Sequence, residues 1–195
     1  NYSNSLTGGL IGKALKFNGS TDFIEIKDSQ SLKLSKTATF ISNVKILGTN
    51  INPISCTGQY GTILSKRVFG TTIVDYQNFF EFDTMYFFGR NNDNSPNWYP
   101  GYKTNFNSEI GKNYIYTTIY NNGETKNYIN GKYYSSNIID YGKSDTGTLS
   151  TSTGTLLLGS RNGGCVMNGI IDDIKIYNRA LSDQEISQQA KIAGF

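Results

Sequence analysis

Residues 168–186, NGIIDDIKIYNRALSDQEI, constrain this 195-residue chain more than any other stretch. An Asn-Gly pair reads as a turn. It opens a run of β-branched residues, Ile170, Ile171, Ile174 and Ile176, in which apolar and polar side chains mostly alternate from Asp173 onward. A period of two in such residues predicts a strand with one buried face. The strand carries two adjacent carboxylates, Asp172 and Asp173, and breaks at Asn178-Arg179. Ser182, followed three residues later by Glu185, then spells a capping box. The serine hydroxyl accepts from a free backbone N–H of the first helical turn, and the glutamate reaches back to the serine's own N–H.

This stretch resembles the last strand and closing helical turn of laminin-G-type jelly-roll domains of the concanavalin A-like lectin/glucanase superfamily. Three further landmarks agree and fall in the family's order. GKALKFNGSTDFI at residues 12–24 resembles the opening G-x-A-L-x-F-D-G-x-x-D-Y-V. YINGK at 128–132 resembles a mid-domain Y-V-N-G-K hairpin, and LLLGS at 156–160 an L-x-I-G strand. The resemblance implies an all-β fold: a two-sheet antiparallel jelly-roll sandwich closed by a short C-terminal helix. Its first and final β segments should lie side by side, with Phe17 and Ile174 in one layer. Related domains often carry a tryptophan near Asn43, which this chain lacks.

Composition agrees with many short strands and turns: 21 Gly, 14 Tyr and 11 Phe against 2 Met. The length suits one all-β sandwich over residues 1–195. The net charge is +3 and the 18 basic residues form no run, which argues against a nucleic-acid partner. With no histidine, the commonest metal ligand and the commonest general base near neutral pH are both missing. Cys56 and Cys165 cannot make a zinc site by themselves. They are either one disulfide of an exported chain or two buried thiols. No run is long and apolar enough to be a transmembrane helix. The chain begins at Asn1 with neither Met nor signal peptide. It is therefore expected to be a mature domain or fragment of a larger extracellular or cell-surface protein, with other domains of that parent as neighbours.

Along the chain, residues 1–9 read as a polar lead-in. Strands are predicted at 14–17, 23–26, 37–46, 62–66, 71–74, 113–120, 126–129 and 132–139. The aromatic run NFFEFDTMYFFG at 78–89 is two strands or one bent one. Five Asn-Gly pairs, at 18, 122, 130, 162 and 168, favour tight hairpins. Residues 48–61, 90–102 and 144–154 are loops by their Gly, Pro, Asn and Ser content.

Three groups of residues could carry chemistry. Concanavalin-like glycosidases resemble this chain at Glu81-Phe82-Asp83-Thr84-Met85-Tyr86. Their E-x-D-x-x-E strand supplies two carboxylates, and retaining hydrolysis needs the pair about 5–5.5 Å apart. Glu81 and Asp83 would share a strand face, but Tyr86 stands where the second glutamate belongs, so no enzyme is expected. Without histidine no serine or cysteine triad is available either.

The second group is implied by the resemblance. Related jelly rolls often hold calcium where the opening turn meets the closing I-D-D strand, which implicates Asn18, Asp172 and Asp173 in a structural calcium site. Alternation aims Asp172 with Ile174 and Ile176 toward the core. Two adjacent carboxylates repel unless a cation or hydrogen-bond donors neutralise them. The alternative is that Asp172 accepts backbone N–H bonds from the Asn18-Gly19 turn and binds no metal.

The third is the loop at 90–102. Trp98, Tyr99 and Tyr102 offer aromatic faces for stacking on sugar C–H faces, and Arg90, Asp93 and Asn94 offer hydrogen bonds to hydroxyls. The alternative is that Trp98 folds back to cap the core. These readings favour a non-catalytic, lectin-like carbohydrate-binding module of a secreted enzyme or adhesin, with glycan or cell-surface protein as partner. The competing reading is a protein-binding or structural adhesion domain without sugar affinity.

Overall fold

The computed structural model describes residues 6–9, 11–49, 61–68, 74–81, 84–89, 102–138, 148–161 and 164–195. Among these, thirteen strands form two antiparallel sheets. In chain order they are β1 Leu6–Gly8, β2 Lys13–Asn18, β3 Ile24–Ile26, β4 Thr37–Ile46, β5 Gly61–Arg67, β6 Val74–Glu81 and β7 Thr84–Gly89. There follow β8 Tyr102–Asn107, β9 Asn113–Asn121, β10 Glu124–Ile129, β11 Lys132–Ile138, β12 Thr155–Leu158 and β13 Asn168–Tyr177, then helix α1, Asp183–Ile192. One sheet has seven strands in the order β1-β2-β13-β4-β9-β10-β11. The other has six, β3-β12-β5-β6-β7-β8.

The expected joining of head and tail is present. β13 lies between β2 and β4, pairing Ile171 with Leu15 and Gly169 with Ile46. Phe17 and Ile174 pack into the same core cluster. The Asn-Gly pairs behave unequally. Asn122-Gly123 and Asn130-Gly131 make hairpins, all four residues having positive φ as such turns require. Asn18-Gly19 instead carries the chain from β2 in one sheet towards β3 in the other, and Asn168-Gly169 opens β13 rather than turning before it. Residues 71–73 and 162–163 lie outside the described residues.

Between the sheets, alternate strand residues interdigitate in two clusters. One centres on Phe17, Val44, Phe80 and Tyr116, the other on Phe40, Tyr76, Phe87 and Tyr120. Phe40 and Tyr76 have centroids 5.0 Å apart, and Phe80 meets Tyr116 edge-on at 5.3 Å. Each buried phenol finds a partner, Tyr76 donating to the Leu32 carbonyl at 3.2 Å and Tyr116 sharing a bond with Ser108 at 2.8 Å. Burial pushes both hydroxyls well above the ordinary tyrosine value.

A third cluster forms on the outer face of the seven-stranded sheet. There Ile186, Ala190 and Ala193 of the helical segment cover Ile41, Ile115 and Tyr128. The capping box starts α1 as its sequence requires, Ser182 accepting from the Glu185 N–H and Glu185 accepting from the Ser182 N–H.

The six-stranded sheet is tied by a buried cation. Lys66, fully buried on β5, sits 2.9 Å from Asp75 Oδ2, 3.0 Å from Asp28 Oδ1, 3.0 Å from the Ser152 carbonyl and 2.9 Å from the Gly154 carbonyl. Four oxygens, from the segment after β3, from β6 and from the segment before β12, thus share the ammonium that β5 supplies. Removing one partner of a buried pair strands the other charge at a cost of about 3–5 kcal/mol. Lys66→Met should lower unfolding free energy by about that amount in urea titrations at neutral pH. The Asp28 carboxyl is held below its ordinary value, chiefly by the hydrogen bond from Lys66. A depressed carboxylate adds stability above the unfolded-state value, and that stability is lost as pH falls through the folded one. The gap between wild type and Lys66→Met should therefore narrow as pH drops below 3.8.

Candidate functional site

β13 does not keep the alternation read from its sequence. It pairs with β4 as Asp172 with Asn43 and then as Lys175 with Ile41, so Asp173 and Ile174 together oppose Ser42 alone. The extra residue is a β-bulge. Asp173 adopts φ 45° there, a left-handed conformation that aspartate tolerates better than most residues. The bulge inverts parity. Ile171 faces the inter-sheet core before it, and Ile174 and Ile176 face that core after it. Asp172 therefore stands opposite to Ile174 and Ile176, not with them. It lies beside Asn43 on the outer face, where Ile41, two residues along, packs under the helix.

The supposed partners of Asp172 lie elsewhere. Asn18 pairs with Asn168, four residues before Asp172 on β13. Its carboxamide oxygen already accepts from the N–H groups of Ser20, Thr21 and Asp22 at 2.9, 2.9 and 3.2 Å. In return the Asn18 N–H donates to Asp22 Oδ2 at 3.1 Å. Asn18 is thus the hub of its own turn. Asp172 accepts a different N–H from the one expected, that of Ile11 at 3.2 Å, not one from the Asn18-Gly19 turn. Calcium needs six to eight converging oxygens. Among the described residues no group of three or more acidic, histidine or cysteine side chains could hold a metal. Asn18, Asp172 and Asp173 do not fit one calcium ion.

Asp172, 7% exposed, instead lines a cavity of about 240 Å³ on the outer face. Thr7, Gly8, Asn43, Lys45 and Ile170 are further walls. Asn43 is 2% exposed, and among the described residues its Oδ1 has no hydrogen-bond partner. Such an orphaned buried acceptor costs about 1–3 kcal/mol. The sequence reading missed Asn43. The available signal was a carboxamide next to Val44 in the middle of a predicted core strand, TATFISNVKI.

Of the glycosidase-like motif, Glu81 ends β6 and pairs with Thr84 at the start of β7, while Asp83 lies outside the described residues. Arg90, Asp93, Asn94, Trp98 and Tyr99 lie outside the described residues. Tyr102 opens β8, paired with Phe87 at the edge of the six-stranded sheet. Cys165 is disulfide-bonded, which decides between the two readings of the cysteines; Cys56, the chain's only other cysteine, is outside the described residues.

Two antiparallel sheets, a strand from each end of the chain paired within one of them, and a helix capping that sheet define a lectin-type jelly roll. The chain belongs to the concanavalin A-like lectin/glucanases superfamily, whose laminin-G model matches residues 18–187. No curated protein matches the sequence. Among solved structures, the chain is similar to domain 4 of AbnA, an extracellular arabinanase from Geobacillus stearothermophilus solved with arabinotriose. Identity is 19% and the TM-score 0.67, over 97% of this chain and 82% of that one. It is also similar to the botulinum neurotoxin serotype G binding domain, at 19% identity and TM-score 0.67, over 98% of this chain and 46% of that one. Trypanosoma rangeli sialidase matches at 15% identity and TM-score 0.62, over 92% of this chain but 27% of its own. At these identities the likeness is one of fold. Among the described residues no helix is long and apolar enough to cross a membrane.

Gly9 closes the cavity's end against Asp172. A Cβ added there would lie 2.4 Å from Asp172 Oδ2 and 3.0 Å from the Ala14 Cβ. Gly9→Ala should push the residue 9–12 turn off Asp172. The expected cost is about 1–3 kcal/mol in denaturant titration, with faster amide exchange at Ile11.

Proposed function

We propose that this chain is a non-catalytic carbohydrate-binding module of a secreted or cell-surface protein. The observation that carries the reading is its full-length likeness in fold to the arabinanase domain solved with arabinotriose. The toxin binding domain supports a binding role on the same fold. The disulfide at Cys165 fits export to an oxidising compartment. Tyr86, standing where the glycosidase strand carries its second glutamate, argues against glycoside hydrolysis. Because a fold carries many functions, the ligand class rests on this likeness and on residue chemistry.

The loop between β7 and β8 is the proposed main recognition element, with Trp98, Tyr99 and Tyr102 as stacking faces and Arg90, Asp93 and Asn94 as hydrogen-bonding groups. It joins two strands at the edge of the six-stranded sheet, a position where insertions leave the core intact.

Screening on a glycan array, followed by calorimetry on the best hit, tests the reading. Binding should be saturable, and Trp98→Ala should weaken it at least about tenfold, ~1.4 kcal/mol, without changing the melting temperature. An array without hits, combined with saturable binding to a cell-surface protein, would move the assignment to a protein-binding adhesion domain. Loss of fold in Trp98→Ala would make that tryptophan a core cap.

A further inference from the structure

We infer that the outer-face cavity between β1, β4 and β13 is a second ligand subsite that takes the vicinal hydroxyls of a single neutral sugar unit. The inference rests on the carbohydrate reading above. It places a contact on the seven-stranded sheet, which does not contain β7 and β8.

Three observations point to a ligand rather than to structure alone. First, among the described residues Asn43 Oδ1 has no partner, although its residue is 2% exposed and lines the cavity. Ser42 Oγ, Thr62 Oγ1 and Asn78 Oδ1 are also without partner, but none of them lines this space. Second, Asp172 beside it accepts one N–H, from Ile11, through Oδ2, and a carboxylate has room for several more donors. Asn43 and Asp172 are cross-strand partners, so two acceptors stand side by side as adjacent hydroxyls of a sugar ring do. Third, the remaining walls limit what can enter. Lys45 and Asp172 contribute one positive and one negative charge, which favours a neutral polar guest over an ion of either sign. Ile170, half-buried, offers a patch for a C–H face. At about 240 Å³ the cavity is below the usual range for drug-sized ligands, in keeping with one ring rather than a chain.

Two substitutions probe the cavity while leaving the fold in place. A Cβ at Gly8 meets nothing within 4 Å, so Gly8→Leu places a side chain at the cavity wall without a clash at its root. Asn43→Leu keeps the volume and removes the orphaned acceptor, so the melting temperature should hold or rise while binding falls. The experiment follows amide NMR shifts of ¹⁵N-labelled protein during titration with D-glucose, D-galactose, D-mannose and L-arabinose, each to millimolar concentration, with methylammonium and acetate as ionic controls. At least one sugar should shift the amides of Gly8, Asn43 and Ile170. Gly8→Leu and Asn43→Leu should each weaken the response of these three amides to that sugar at least tenfold. If sugars bind but leave these amides unmoved, and only Trp98→Ala abolishes binding, the subsite is overturned and the carbohydrate reading stands. Shifts with methylammonium or acetate but not with sugar would also overturn it. A protein that binds no sugar, mono- or oligomeric, fails both readings.

Discussion

The structure depends on β13 being held between β2 and β4. Those two pairings bring the last strand of the chain against two of the earliest, so the seven-stranded sheet cannot form until both ends are in place. Other landmarks, distant in sequence, meet around this junction. The Phe17 ring lies where a Cβ on Gly159 would be, 2.3 Å from Phe17 Cδ1, and Gly159 has φ 80°. Only glycine serves at the end of β12, because the first core aromatic packs on its backbone. At the other end of the sheet, the Asn130-Gly131 turn presses on α1, with a Gly131 Cβ 2.5 Å from that of Ala190. The motifs of the opening strand, the mid-domain hairpin, the L-x-I-G strand and the closing helix are thus mutual contacts.

Because those contacts are made by particular residue types at particular backbone angles, they were legible in the sequence. So were β4, whose Phe40, Val44 and Ile46 fall on one face, and α1, whose cap is spelled out by Ser182 and Glu185. The aromatic run resolved into the paired strands β6 and β7. What escaped were edges. β1 is only Leu-Thr-Gly, and β8, YKTNFN, has too few apolar residues to show a period; each is recruited by the neighbour it pairs with. Asn18-Gly19 was a turn without being a hairpin, because the carboxamide of Asn18 gathers three N–H groups of its own loop and sends the chain across the sandwich.

The site was less legible than the fold, for a single geometric reason. Sequence alternation holds only while the register does, and one extra residue at Asp173 exchanges the two faces of β13. A reading that carries Ile174 and Ile176 back to Asp172 puts that carboxylate in the core. The bulge puts it outside, against the residue 9–12 turn and Asn43. No local signal distinguishes the two, since an aspartate is accepted both in a strand end and at positive φ.

Two buried polar groupings in the molecule show how structure and recognition separate. Around Lys66 every partner is supplied from within, with four oxygens about one ammonium, and Asp75 additionally accepting the N–H and hydroxyl of Ser152 at 3.0 and 2.9 Å. That node is closed, and a ligand could add nothing to it. The pair Asp172 and Asn43 is built on the same principle of cross-strand neighbours but left open. Among the described residues one N–H reaches the carboxylate and none reaches the amide oxygen, and a cavity lies in front of both. An open acceptor pair in a sheet lowers stability, and among the described residues nothing compensates it. A guest's donors would therefore gain most on this face, where the amide oxygen lacks one, rather than at the lysine, whose ammonium already meets four oxygens.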